Sequence, residues 1–201
     1  MDARQVLLVI LCGGLLVIAA CSGEGNSCVD STCDTAIGEQ CQGGDCRCAW
    51  LGTRTFTFQV NEACSDDLAL ADCLGAVQAA MDYWNSADCS DIALALEGTT
   101  PLTSSVCGQG KPAQNVNLIR FVESSWSGES AAVSLVTTTV IQATGEITCV
   151  SIELNGVDLT FTKDTLTESV LTALGGVLGV KDLEALCRKY PPGVQSPCVV
   201  E

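Results

Sequence analysis

Fourteen cysteines and no histidine set the terms of any chemistry this 201-residue chain can perform. Without an imidazole, Ser-His-Asp and Cys-His mechanisms and histidine zinc sites are excluded throughout the chain. Thiolates, carboxylates and lysines remain. A thiolate zinc site would centre on "CRC" at Cys46–Cys48, but zinc wants paired CxxC spacings or Cys/His mixtures, and neither is present. Ser-Lys catalysis needs a lysine near a serine, and the four lysines sit outside any S-x-x-K run. A calcium loop would need a D-x-D-x-D-G run, which is absent. Among the carboxylates, Glu168 stands one helical turn before Thr172 and reads as the second half of a capping box begun by Thr165. Asp66 and Asp67 read as charges at a helix start, with Ser65 or Asp66 as its cap. Glu146 and Glu153 read as solvent-facing strand residues. Two tryptophans are candidate binding aromatics. Trp84 shares an apolar helical stripe and reads as core. Trp126, in "ESSWSGES", is either a contact residue or packed against its own loop.

The cysteines and the first twenty residues point to export. Arg4 precedes an apolar run from Val6 to Ala20 that ends in small residues and is short for a membrane span. Residues 1–20 therefore read as a secretory signal. "IAAC" resembles the lipobox of bacterial lipoproteins, which implies cleavage before Cys21, a diacylglycerol on its sulfur and membrane attachment through that lipid. The alternative is a plain signal peptide with Cys21 in a disulfide. Ser22 after the cysteine, rather than Asp, favours the outer membrane by analogy with enteric lipoproteins. Cys12 leaves with the signal. Twelve cysteines remain, Cys28, Cys33, Cys41, Cys46, Cys48, Cys64, Cys73, Cys89, Cys107, Cys149, Cys187 and Cys198, an even set that reads as disulfides. The net charge of −15 argues against nucleic acid and against anionic headgroups as partners.

The elements that must position these groups divide the chain into a tether (21–27), a cysteine-rich module (28–48) and one α+β domain (49–201). The module has five cysteines and almost no apolar residues, so bridges must hold it. Its second half, "CQGGDCRC", is weakly similar to small EGF-like or knottin-like modules. Five is odd, and Cys64 is the nearest outside partner. In the domain, "TRTFTFQVN" alternates as a half-buried strand. Leu70, Leu74, Val77, Met81 and Trp84 mark one helical face. "DIALALEG" and "VNLIRFVE" read as strands on either side of a polar loop pinned by Cys107. Two β-branched runs around Thr144-Gly145 read as a hairpin. "TLTESVLTALGGVLG" reads as a helix despite Gly175-Gly176, and "KDLEALCRKY" as a last short helix stopped by Pro191-Pro192.

That order of elements, with the late tryptophan, the "GEI…LNG" hairpin and a helix ending "VLG", resembles the metzincin-like zinc peptidases, in particular the matrixin-like domains of exported bacterial proteins. The resemblance covers roughly residues 53–192. It implies a twisted mixed sheet packed against two long helices. It also implies a last long helix carrying His-Glu-x-x-His, a turn glycine and a third His or Asp. In this register Thr172 and Gly176 occupy the first two ligand positions and Ala173 the general-base position. Gly179 falls at the turn glycine and Asp182 at the third ligand. The methionine-turn segment is missing, and Asp182 could instead cap the last helix. Gly175, Gly176 and Gly179 then have two readings, a decayed catalytic site or glycines that permit close helix packing.

The resulting expectation is an envelope lipoprotein whose metallopeptidase-like domain is catalytically inactive, with neither metal nor cofactor, serving a binding or structural role toward an unknown protein or envelope partner. The alternative is a hydrolase using a relocated carboxylate site, which would need two or three carboxylates gathered over the Thr172/Gly176 face.

Overall fold

The computed structural model describes residues 6–12, 15–18, 40–42, 45–47, 49–107, 115–141 and 145–193. In chain order the elements are β1 (Val6–Cys12), β2 (Leu15–Ile18), β3 (Gln40–Gln42), β4 (Asp45–Arg47), β5 (Trp50–Leu51), β6 (Thr55–Asn61), α1 (Leu70–Asn85), β7 (Ala93–Thr100), β8 (Asn117–Val122), β9 (Ser134–Ile141), β10 (Glu146–Asn155), α2 (Lys163–Leu178) and α3 (Leu183–Lys189). The fold is α+β. Its centre is a five-strand mixed sheet in the order β9-β10-β8-β6-β7, parallel except for β9, which runs antiparallel to β10. β5 pairs in parallel with the start of β10. β1 and β2 form a hairpin that extends the sheet beyond β9, and β3 and β4 form a separate one.

Alternation gives β6 its place: Phe56, Phe58 and Val60 are buried, with Phe58 and Val60 fully enclosed between β7 and β8. β10 is buried on both faces along most of its length, as a strand inside a mixed sheet should be. The helices lie side by side, α1 on β7 and α2, and α2 on β9 and β10. Val77, Met81 and Trp84 of the expected stripe are buried, Leu74 is partly buried, and Leu70 at the start of α1 is exposed.

The starts of α1 and α2 differ from expectation. α1 begins at Leu70 after Ala69, which supplies no side-chain cap, so neither Ser65 nor Asp66 caps it. A turn from Asn61 to Cys64, with Cys64 at φ 54°, occupies the chain before it. Asp67 is drawn elsewhere: its carboxylate accepts the Phe161 N–H at 2.8 Å. That same bond explains the second difference. It fixes the residue before Thr162, and Thr162 rather than Thr165 becomes the N-cap of α2, in a reciprocal box with Thr165. Glu168 lies a turn inside the helix, exposed, and is no part of the cap.

Two buried asparagines stitch strands that alternation alone would not align. Asn117 donates to the Thr57 carbonyl and accepts the Val150 N–H, each at 2.8 Å, so it spans β6 and β10 where β8 enters between them. Asn155 donates to the Ser130 and Ala132 carbonyls and accepts the Asp158 N–H, which orders the chain after β10. A buried amide with its donors and acceptors matched costs little, and cutting one side leaves the other unpaired.

Tyr190 closes the other end. Its ring is fully buried, its hydroxyl accepts the Leu51 N–H at 3.3 Å and donates to the Leu178 carbonyl at 3.2 Å, and so it joins β5, the end of α2 and the end of α3. Burial drives its pKa upward, against the smaller lowering effects of the Leu51 N–H and the Arg54 charge. A raised phenol pKa means the folded chain holds this proton to higher pH than the unfolded chain does. The contribution is therefore complete below about pH 10 and is lost as pH climbs toward the folded-state value. Melting curves between neutral and strongly alkaline pH should show this loss. Tyr190→Phe should lower stability at neutral pH by about 1–3 kcal/mol, because Leu51 N–H loses its partner, and should flatten the alkaline slope. An unchanged slope would mean that other groups govern the alkaline limit.

Candidate functional site

The C-terminal half of α2 and its turn into α3 carry every position the register singled out. Thr172 is exposed, and its hydroxyl donates to the Glu168 carbonyl of its own helix at 2.9 Å. Ala173 is fully buried in the core. Gly179 is the C-cap at φ 66°, ψ 37°, the left-handed conformation that glycine adopts without penalty. Its N–H and that of Val180 bond the Gly176 and Gly175 carbonyls at 3.2 and 3.0 Å, satisfying the last turn of the helix. Asp182 caps α3: its carboxylate accepts the Ala185 N–H at 2.8 Å.

Gly175 has a packing role. A Cβ built on it would lie 2.9 Å from Cζ2 of Trp84 and 3.0 Å from the Val180 carbonyl oxygen. Trp84 is buried, and its indole N–H donates to the Leu171 carbonyl of α2 at 3.1 Å. The face of α1 thus lies against the backbone of α2, and the missing side chain at 175 is what admits the indole.

The zinc that the resemblance implies does not fit these residues. Gly176 has no side chain to offer, the Thr172 hydroxyl is engaged with backbone, and Asp182 is engaged at a helix cap. Ala173 can polarise no water. No group of three or more His, Cys, Asp or Glu that could hold a metal ion occurs among the described residues. Two of the carboxylates weighed for a relocated site, Asp67 and Glu153, have separate structural partners, and so do Glu123 and Asp91. Asp67 holds the Phe161 N–H, and Glu153 pairs with Arg120 across β10 and β8 at 3.0 Å. Glu123 accepts the Asp66 N–H at 3.1 Å, and Asp91 binds Arg54 at 3.0 Å and the Gly193 N–H at 3.1 Å.

Trp126 is half-buried, its ring folds over Gly128, and its N–H donates to the Glu129 carbonyl at 2.9 Å. Its own loop therefore orders it.

Three disulfides lie among the described residues: Cys64–Cys73, Cys89–Cys187 and Cys107–Cys149. Cys107 pins the polar loop to β10, as the sequence led us to expect. Cys64 does not reach the cysteine-rich module. The turn that carries it places its Cα 6.6 Å from that of Cys73 in the first turn of α1, and the two are bridged. In the module, β3 and β4 set Cys41 opposite Cys46. Cys21, Cys28, Cys33, Cys48 and Cys198 lie outside the described residues.

Sequence reasoning missed the straps that tie distant segments: Asp67 to Phe161, and the buried Asn117, Asn155 and Tyr190 hydroxyl. The only signals were polar residues interrupting apolar strands, in "VNLIRF" and "IELNGVD", and a tyrosine just before the closing prolines.

No family model, no curated protein and no solved structure matches this chain.

Proposed function

We propose that this chain is an exported lipoprotein of the bacterial cell envelope, anchored through Cys21, whose main domain has a metzincin-like architecture without its catalytic equipment and acts by binding or as a structural element. The observation that carries this reading is the state of α2. The helix, its left-handed glycine turn and the capped helix beyond it are all present, while the positions that would ligate and activate carry Thr172, Ala173 and Gly176. The succession of strand, helix, strands, hairpin, helix and short helix supports the same reading. Tyr190 before the prolines adds to it, since it ties the terminal helix back to α2. The lipobox-like "IAAC" and the even cysteine set support export. The partner is an envelope component or protein, and the part of Trp126 left exposed is a candidate contact.

The test joins anchor and site. Mass spectrometry of the N-terminal peptide should show acylated Cys21, and Cys21→Ser should move the protein from membranes to the soluble fraction. Melting of the purified protein should be indifferent to chelator, since a bound metal would add its binding free energy to folding. A mature start elsewhere would overturn the anchor. Stoichiometric zinc, or peptide cleavage that chelator abolishes, would overturn the inactive domain.

A further inference from the structure

The two edges of the central sheet are built differently. β7, at one edge, carries a charge at Glu97, a bulge against β6 between Phe58 and Val60, and Gly98 at φ 100°. Charge and bulge are the usual means by which an edge strand is kept from pairing with another chain. β9, at the other edge, reads SLVTTTVI. It has no charge, no proline and no glycine, and six of its eight residues are β-branched. With residues 1–20 present its outer edge takes up β1 in antiparallel register, from Thr139 opposite Val6 to Ser134 opposite Leu11. The geometry of that edge therefore accepts an antiparallel strand along most of its length.

Residues 135–141 are also nearly palindromic, Leu-Val-Thr-Thr-Thr-Val-Ile about Thr138. An antiparallel partner with the same sequence, related by a twofold axis at Thr138, would set Thr138 against Thr138. It would likewise set Thr137 against Thr139, Val136 against Val140 and Leu135 against Ile141. Like meets like at every position, which a twofold interface requires, and Thr–Thr and β-branched pairs are favourable across strands. The faces agree as well: Val136 and Thr138 are buried toward α2, while Thr137 and Thr139 are half-buried and Ile141 is exposed on the other face.

We propose that, once residues 1–20 are removed, the outer edge of β9 pairs antiparallel with β9 of a second copy about Thr138, joining two central sheets into one. This rests on the processing reading above. In the precursor β1 covers the edge, so self-association begins only after cleavage.

The experiment uses the processed lipoprotein in detergent, with intact mass to verify the N-terminus and detergent-corrected light scattering to read the oligomer at micromolar concentrations. A dimer is expected. Thr137→Lys combined with Thr139→Lys sets like charges opposite each other in both symmetry-related pairs and should weaken association by about tenfold or more. Thr137→Lys combined with Thr139→Glu sets opposite charges there and should retain the dimer. Both pairs of substitutions lie on the face away from the helices, and matched melting temperatures would confirm that both variants fold. A mass that still includes residues 1–20 overturns the processing reading and this interface with it. A processed chain that is monomeric, or equal association of the two charge variants, overturns the interface alone. The cleaved leader found still bound to a single chain by native mass spectrometry would assign the edge to that peptide and overturn it too.

Discussion

Replacing Cys89 and Cys187 together by alanine should lower the unfolding free energy by about 3–4 kcal/mol. The bridge ties the segment after α1 to α3 across a sequence separation of 98 residues, with the two Cα atoms 5.2 Å apart. The closed loop contains β7 through β10 and all of α2. Opening it restores to the unfolded chain a closure entropy of roughly 4–5 kcal/mol in the chain-entropy account, of which proteins commonly realise somewhat less. Packing changes little, because Cys89 is exposed and Cys187 only partly buried. The Cys64–Cys73 bridge closes a separation of only 9 residues, and its entropic share should be smaller by about 2 kcal/mol. Urea unfolding of each double variant measures both. A loss below about 1 kcal/mol on opening Cys89–Cys187 would show that the ends of the domain are held by other contacts, Tyr190 foremost.

The second large effect belongs to Trp84 and Gly175. Trp84→Ala empties a buried site between α1 and α2 and leaves the Leu171 carbonyl without its indole partner, so a loss of about 3–5 kcal/mol is expected. Gly175→Ala is the sharper test. On helix propensity alone it should stabilise α2 by about 1 kcal/mol. Here the new methyl would meet the indole at 2.9 Å and a backbone carbonyl at 3.0 Å, and neither can easily yield. Overpacking of this kind costs about 1–3 kcal/mol, so the net change should be destabilising. The two substitutions should couple: with the indole gone, Gly175→Ala should cost less than in the native chain. Additive losses, or a more stable Gly175→Ala protein, would mean that the glycine is not there for the tryptophan.

This coupling bears on what the sequence could say about "LTALGGVLG". Apolar spacing was enough to place the helix, and the left-handed glycine at 179 was legible as a turn. The choice between lost catalytic side chains and packing glycines was not, because it depends on Trp84, which is remote in sequence and reaches α2 only when the sheet sets the helices side by side. At Gly175 the structure supplies a packing reason. The strands from Thr55 to Asn155 were legible for a similar reason, since alternation and β-branched runs are local signals. The starts of α1 and α2 were not. Asp67 has the composition of a helix-start charge, yet its carboxylate goes to Phe161, a residue no local pattern connects with it. Cys64 shows the same limit, because parity can count partners but distance chooses them. The candidate site was legible only in what it lacks: the absence of histidine is plain in the composition, whereas Asp182 as a helix cap became certain only from its bond to Ala185.

The parallel core has a consequence in time. β6 must find β8 with Phe58 beside Asn117, and β8 must find β10 with Leu118 beside Ser151, before either pairing is rewarded. Chains dominated by such distant contacts fold slowly, because the cost of closing the loops comes before the gain. The bridges inherit that order. Cys64 and Cys73 can meet within one short segment, whereas Cys89 can reach Cys187 only when nearly the whole domain has been delivered. On the export route proposed above, slow collapse would keep the chain threadable, and the late bridge would then lock the finished domain on the far side.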